Sequence, residues 1–193
     1  ILGSSLGSSS VIDLCLADYS FPGEISNDHA GTNVSNAGDV DGDGLDDILV
    51  GANNQGSSGA NAGKAYLILG SSLGASPVID LSMADYTFVG ETYQDNASRV
   101  SSAGDVDGDG LDDLLVGASG NDDGGSGAGK AYLILGSSLG AAPIINLSLA
   151  DYIFVGENGS DLAGSSVSSA GDVDDDGFDD LLVGAYRNDD GGG

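Results

Sequence analysis

One nine-residue string dictates what this chain can become. DVDGDGLDD occupies residues 39–47 and again 105–113, and DVDDDGFDD occupies 172–180, at offsets of 66 and 67 residues. Self-similarity at such a period means an array of equivalent units, each burying its apolar surface against its neighbours. The remainder of the chain repeats in step. AGKAYLILGSSLGA at 62–75 returns at 128–141, and IDLSMADYTFVGE at 79–91 returns as INLSLADYIFVGE at 145–157. The division that follows is a partial unit over 1–28, whole units over 29–94 and 95–161, and a second partial unit over 162–193.

Within one unit, short runs at 100–103, 113–117, 130–135 and 152–155 are separated by clusters of Gly, Asp, Asn and Ser. That is the pattern of short strands joined by turns. The fold class expected is all-β, with four-stranded antiparallel sheets as the unit. LLVGA and AYLILG are continuous apolar runs instead of alternating ones, so both faces of those strands must be covered, as in sheets stacked face to face. Radially stacked, propeller-type blades meet that requirement. The stretch 75–89 has room for a helical turn around 81–84, but it contains a proline and is too short for a substantial helix.

The repeated string places carboxylates at loop positions 1, 3, 5 and 9, with glycine at position 6. In the first copy these are Asp39, Asp41, Asp43 and Asp47; in the second Asp105, Asp107, Asp109 and Asp113; in the third Asp172, Asp174, Asp176 and Asp180. Alternating aspartates in a tight turn converge on one centre, which is repulsive without a cation. Ca²⁺ suits such a centre because it takes six to eight oxygen ligands, carbonyls included, whereas Mg²⁺ demands stricter octahedral geometry. The carbonyls of Leu45, Leu111 and Phe178 at position 7 complete the expected ligand sets, and about three Ca²⁺ ions are expected per chain. An EF-hand would require a glutamate at position 12 and flanking helices. Position 12 is Val50, Val116 or Val183, so the loop reads as a connection between strands.

The motif GDVDGDGLDDILVGA and its two copies resemble the FG-GAP repeats of integrin alpha-subunit β-propellers and of many bacterial secreted proteins, and the resemblance extends along essentially the whole chain. It implies four-stranded propeller blades, typically seven to a ring, with Ca²⁺ in the loop joining the first two strands. The family's Phe-Gly dipeptide falls at Ala30-Gly31, Asn96-Ala97 and Ala163-Gly164, and its Gly-Ala-Pro becomes GAN, GAS and GAY, departures that weaken any inference of integrin-like ligand binding. Three blades are too few for an ordinary ring. Further repeats of a longer chain, self-association into a ring, or a filament are the expected ways to cover the open blade faces.

Charge narrows the partners. With 31 acidic and only 4 basic residues the formal net charge is −27, which opposes binding to nucleic acid or to anionic lipid. No apolar stretch approaches the roughly 20 residues that span a bilayer, so no membrane insertion is expected. The reading is an extracellular, calcium-stabilised structural or adhesive module and not an enzyme. A lectin-like module with a glycan or protein ligand and an accessory domain of a secreted hydrolase are the alternatives.

Other candidate residues have plainer readings. His29, with counterparts read as Asp95 and Leu162, is expected to be a solvated loop residue, and without a second histidine no Ser-His-Asp constellation is available. Cys15, matched by Ser82 and Ser148, is expected to be an inert small residue, buried or half-buried. NDDGG at 121–125 and 188–192 reads as a turn before it reads as a second cation site. Asn33, Asn96, Asn146 and Asn158 fit the N-glycosylation pattern, which matters only where the transferase is present. Tyr19, Tyr86 and Tyr152 are expected to pack on an outer strand, with an exposed carbohydrate-binding ridge as the alternative.

Overall fold

A computed structural model describes residues 1–7, 11–55, 61–74 and 76–189. Its regular structure is eleven β-strands and six short 3₁₀ turns. β1 (Ala30–Gly38), β2 (Asp47–Ala52), β3 (Lys64–Ile68) and β4 (Tyr86–Val89) form the first antiparallel sheet in chain order. β5 (Arg99–Gly104), β6 (Asp113–Ala118), β7 (Lys130–Ile134) and, beyond the short β8 (Ile144–Asn146), β9 (Tyr152–Val155) form the second. β10 (Ala163–Gly171) and β11 (Asp180–Ala185) begin a third. The expected all-β blade is therefore the unit observed, with strands close to the four sequence runs.

β8 has no counterpart among the expected strands. It pairs in parallel with β4, Thr87 opposite Ile144 and Val89 opposite Asn146, so the outer edge of the first sheet is covered by residues of the following unit. A single parallel bridge between Ser20 and Val78 repeats the arrangement one unit earlier. The helical turn read near 81–84 is a 3₁₀ turn over Leu81–Met83, capped by Asp80 accepting from the Ser82 N–H.

Both faces of the middle strands are covered, as the continuous apolar runs require. Leu49 of β2 and Ala65 and Leu67 of β3 face one way, into a core shared with Leu114 and Val116 of β6 and Tyr132 and Ile134 of β7. Val50, Tyr66 and Ile68 face the other way, onto Leu81 and Phe21. On the far side of the second sheet, Leu115 and Leu133 meet Val167 and Leu181. This is period-two alternation with apolar residues on both sides, the signature of a sheet between two others. On β11 the same LLVGA run has Leu182 at 58% exposure, because no described strand lies beyond it.

The sheets also share ion pairs that the sequence did not suggest. Lys130 Nζ lies 2.8 Å from Glu91 Oε1, to which the Tyr132 hydroxyl donates at 2.7 Å, and it also pairs with Asp123. One unit earlier, Lys64 pairs with Glu24 at 2.8 Å and the Tyr66 hydroxyl donates to the same oxygen at 3.0 Å. Burial first, and then the adjoining glutamate, raise the pKa of both tyrosines, which keeps them neutral donors. Each glutamate thus fastens the segment entering a sheet to the third strand of that sheet.

Several expectations are corrected. Cys15 is exposed, not buried or half-buried, because it is the middle residue of a 3₁₀ turn over Leu14–Leu16 with its N–H held by Asp13. The counterpart of His29 in the middle unit is Asn96, not Asp95: His29, Asn96 and Leu162 share a positive φ of 56 to 58°. The Ala-Gly pairs at 30–31 and 163–164 therefore align with Ala97-Ser98. The offset arises because β1 and β10 carry a register shift after their first residue that β5 lacks. Asp123 of the NDDGG segment is taken up by Lys130, and the Asp122 carboxylate accepts from the Gly127 N–H, in keeping with a turn. Tyr86 is half-buried against the shared core and donates to the Gly140 carbonyl, while Tyr152 is exposed.

Close contact between sheets makes glycine obligatory in the second strand. A Cβ at Gly117 would collide with the carbonyl oxygen of Gly164, whereas at the equivalent Gly184 it would meet first the Ser166 hydroxyl, which can rotate away. Gly117→Ala is expected to cost about 1–3 kcal/mol or more, and Gly184→Ala less than about 0.5 kcal/mol. Urea denaturation of the two variants beside the parent checks this, and equal costs would mean that the sheets do not stack as described.

Candidate metal centres

The three acidic loops join β1 to β2, β5 to β6 and β10 to β11, so position 9 is the first residue of the second strand in each. Position 12 lies within that strand, which accounts for valine there where an EF-hand would need a ligand. The loops fold around the carboxylate at position 1. Asp39 Oδ1 accepts from the N–H groups of Gly42 (2.8 Å) and Asp43 (3.1 Å), and its Oδ2 accepts from Gly44 (2.9 Å). Asp105 does the same with Gly108 (2.7 Å), Asp109 (3.1 Å) and Gly110 (3.0 Å). Asp172 accepts from Asp176 (3.1 Å) and Gly177 (2.9 Å).

Two left-handed residues allow this wrapping. Gly42 and Gly44 have φ of 76° and 87°, and Gly108 and Gly110 follow at 77° and 90°. In the third loop Asp175 takes the first of these places at φ 64°, a conformation that aspartate accepts more readily than most residues. The bonds from positions 5 and 6 therefore survive the change from glycine to aspartate at position 4.

Position 9 closes each loop from below. Asp113 is fully buried, with Oδ2 accepting from Val106 N–H at 2.9 Å and Oδ1 from Gly136 N–H at 2.9 Å. Asp47 repeats this with Val40 (3.0 Å) and Gly70 (2.7 Å). Asp180 accepts from Val173 at 2.8 Å. Burial pushes the Asp113 carboxyl up to about 6; the two N–H donors oppose the shift, and the charges of Asp107 and Asp109 add to it. Asp47 is raised for the same first cause.

Carboxylate oxygens of Asp39, Asp41 and Asp43 come within 4.8 Å of one another, as do those of Asp105, Asp107 and Asp113, and those of Asp172, Asp174 and Asp180. Positions 1 and 3 thus converge in all three loops. The third member is position 5 in the first loop and position 9 in the other two. Position 5 accepts from the N–H of position 7 in every loop, Asp43 from Leu45, Asp109 from Leu111 and Asp176 from Phe178. Three mutually close carboxylates on a rigidly wrapped turn, with a fourth beside them, form an all-oxygen donor set that fits a hard divalent cation. The position 7 residues Leu45, Leu111 and Phe178 have hydrocarbon side chains without a ligand atom, which leaves the backbone carbonyl as their one route to such a centre.

The FG-GAP repeat family model matches two stretches, 30–68 and 97–134, which contain the first two loops; the third lies outside the matched residues. Integrin alpha-IIb of Mus musculus is 35% identical over 156 residues, covering 77% of this chain and 14% of that protein. Integrin alpha-5 of Xenopus laevis is 31% identical over 178 residues, covering 87% of this chain and 16% of that protein. Integrin alpha-4 of Xenopus laevis is 28% identical over 153 residues, covering 79% and 14%. The chain spans about a seventh of the length of these curated relatives.

Removing the buried carboxylate at position 9 leaves two enclosed N–H donors without an acceptor. In calcium-free buffer Asp113→Ala is expected to cost about 2–5 kcal/mol. Asp109→Ala removes an exposed group and should cost less than about 1 kcal/mol. Chemical denaturation in chelator compares the two, and an Asp113→Ala cost as small as that of Asp109→Ala would refute the closing role of position 9.

Proposed function

We propose that this chain, an FG-GAP repeat protein whose sheets are β-propeller blades, is an extracellular calcium-binding module with a structural or adhesive task and no catalysis of its own. In this reading the ligands are Asp39, Asp41, Asp43, Asp47 and the Leu45 carbonyl in the first loop. The second loop uses Asp105, Asp107, Asp109, Asp113 and the Leu111 carbonyl, and the third uses Asp172, Asp174, Asp176, Asp180 and the Phe178 carbonyl. With His29 matched by Asn96 and Leu162, the repeat units run 29–95 and 96–161, one residue from the 29–94 and 95–161 read in the sequence, with 1–28 and 162–193 as partial ones.

The observation that carries the reading is the threefold recurrence of one geometry, in which positions 1 and 3 converge with a third carboxylate inside 4.8 Å. Backbone N–H groups hold the position 1 carboxylate, but they leave the charges gathered beside it unneutralised in every copy. A cation would neutralise those gathered charges, which add to the burial that raises the neighbouring Asp113 and Asp47. Extracellular modules bind Ca²⁺ at about 10⁻⁴–10⁻³ M, a range matched to open loops of this kind. Identity of about 30% to integrin alpha chains supports an extracellular place for the module, with further repeats or self-association covering its open blade face.

Calcium binding to the folded form alone stabilises it by linkage, about 2.7 kcal/mol per site at a free concentration 100 times Kd. Thermal unfolding followed by circular dichroism should therefore show a midpoint that rises with calcium and falls when EDTA is added. Magnesium at the same concentration should give a smaller rise, because it releases its waters reluctantly and tolerates less irregular geometry. A midpoint indifferent to both ions and to EDTA would sink the reading.

A further inference from the structure

We propose that Asp112 and Asp179 are positioning residues for the metal loop of the preceding blade, and that through them cation binding at neighbouring loops is coupled. The inference rests on the calcium reading and concerns how its sites communicate. Asp112 is position 8 of the second loop, a place with no expected ligand role. Its carboxylate reaches across to the first loop and accepts from the Asp39 N–H at 2.9 Å, while its own N–H donates to the Asp39 carbonyl at 3.1 Å. Asp179 makes the same pair with Asp105, at 3.1 Å in both directions.

The residue held in each case is position 1, whose carboxylate organises its loop and belongs to the converging set. The holding residue sits between positions 7 and 9 of its own loop. A cation that fixes Asp113 and the Leu111 carbonyl therefore fixes the peptide carrying Asp112, and with it the N–H and carbonyl of Asp39. A second contact runs alongside: the Leu111 side chain lies against Gly42 and Phe178 lies against Gly108, both at position 4 of the preceding loop.

The chain is shaped to admit this clasp. Gly38 and Gly104 stand just before position 1 with φ of 78° and 75°, and a Cβ on either would collide with the Asp112 or Asp179 carboxylate. Where the described chain has no following blade, at Gly171, a Cβ would meet nothing. Asp46, the position 8 residue of the first loop, has no preceding loop among the described residues, and its carboxylate accepts from Asn36 of its own sheet. The contact thus recurs at each junction between described loops.

Calcium titrations of the 193-residue chain, followed loop by loop through the amide resonances of Gly44, Gly110 and Gly177, test the coupling. Asp107→Asn, which disables the second loop, should weaken calcium binding at the first about fivefold or more, the lower end of ordinary couplings between sites. In an Asp112→Ala background, which keeps only the backbone bond to the Asp39 carbonyl and the Leu111 contact, the same substitution should weaken the first loop clearly less, and an equal loss would overturn the role of Asp112. Asp112→Asn keeps an oxygen acceptor for the Asp39 N–H and should restore the transmitted loss, and Asp46→Ala should not alter it. Asp179→Ala with Asp174→Asn repeats the cycle one blade on, so that if one clasp variant fails to fold the other still decides. Loops that bind calcium independently in the parent chain overturn the coupling and leave the calcium reading intact, whereas no binding at any loop overturns both.

Discussion

A sheet whose central strands are apolar on both faces cannot exist alone in water, and this constraint governs the molecule. Leu49 and Val50, adjacent on one strand, are both buried, on opposite sides, and the same holds for Tyr66 and Leu67. Each sheet is therefore folded only insofar as something lies against it. Side-chain burial supplies the attraction, but its non-directional character leaves the register open. Register comes from polar links at the two ends of the stack: the paired bonds of the Asp39 backbone with the Asp112 carboxylate and N–H near the loops, and the Lys-Glu-Tyr contacts at the opposite ends of the strands. Glycine in the second strand then lets the sheets approach to backbone contact.

Charge is distributed with equal consequence. In a chain of net charge −27, two of the four basic side chains, Lys64 and Lys130, are buried in those inter-unit contacts and cannot offset the acidic surface. What remains for the loops is self-organisation by backbone N–H groups, which hold carboxylates in place without neutralising them. Burial first, and then the charges of Asp107 and Asp109, raise the Asp113 carboxyl beside them. A divalent cation held where the carboxylates converge would neutralise them, so that folding of the loop and binding of the ion would draw on the same interactions.

Much of this was legible in the sequence, and for identifiable reasons. Strand period and turn composition marked β5, β6, β7 and β9, and the continuous apolar runs announced that both faces would be covered. Alternation of aspartate at positions 1, 3 and 5 marked the loops, although the structure gathers position 9 in place of 5 in two of them. What escaped is long-range. β8 is three residues whose strand character comes from its partner β4, and nothing local signals it. Lys64 and Lys130 carried a readable signal, a lone basic residue inside an apolar run of a chain almost without bases, but their glutamate partners lie 40 and 39 residues away. Asp112 looked like one more acidic residue in an acidic string until the neighbouring loop was seen beside it.

The parallel pairing of β8 with β4 puts the covalent repeat and the hydrogen-bonded sheet out of step. Ile144–Asn146 lies in the chain between β7 and β9 of the second sheet, yet it completes the edge of the first. A fragment cut to contain one sheet alone would therefore lose its neighbour's edge strand or carry an orphaned one. Removing or adding one whole period recreates every junction wherever the cut falls. Recombination between copies of such a gene can change the number of repeats without spoiling a seam, so array length is free to drift while the blade itself is preserved.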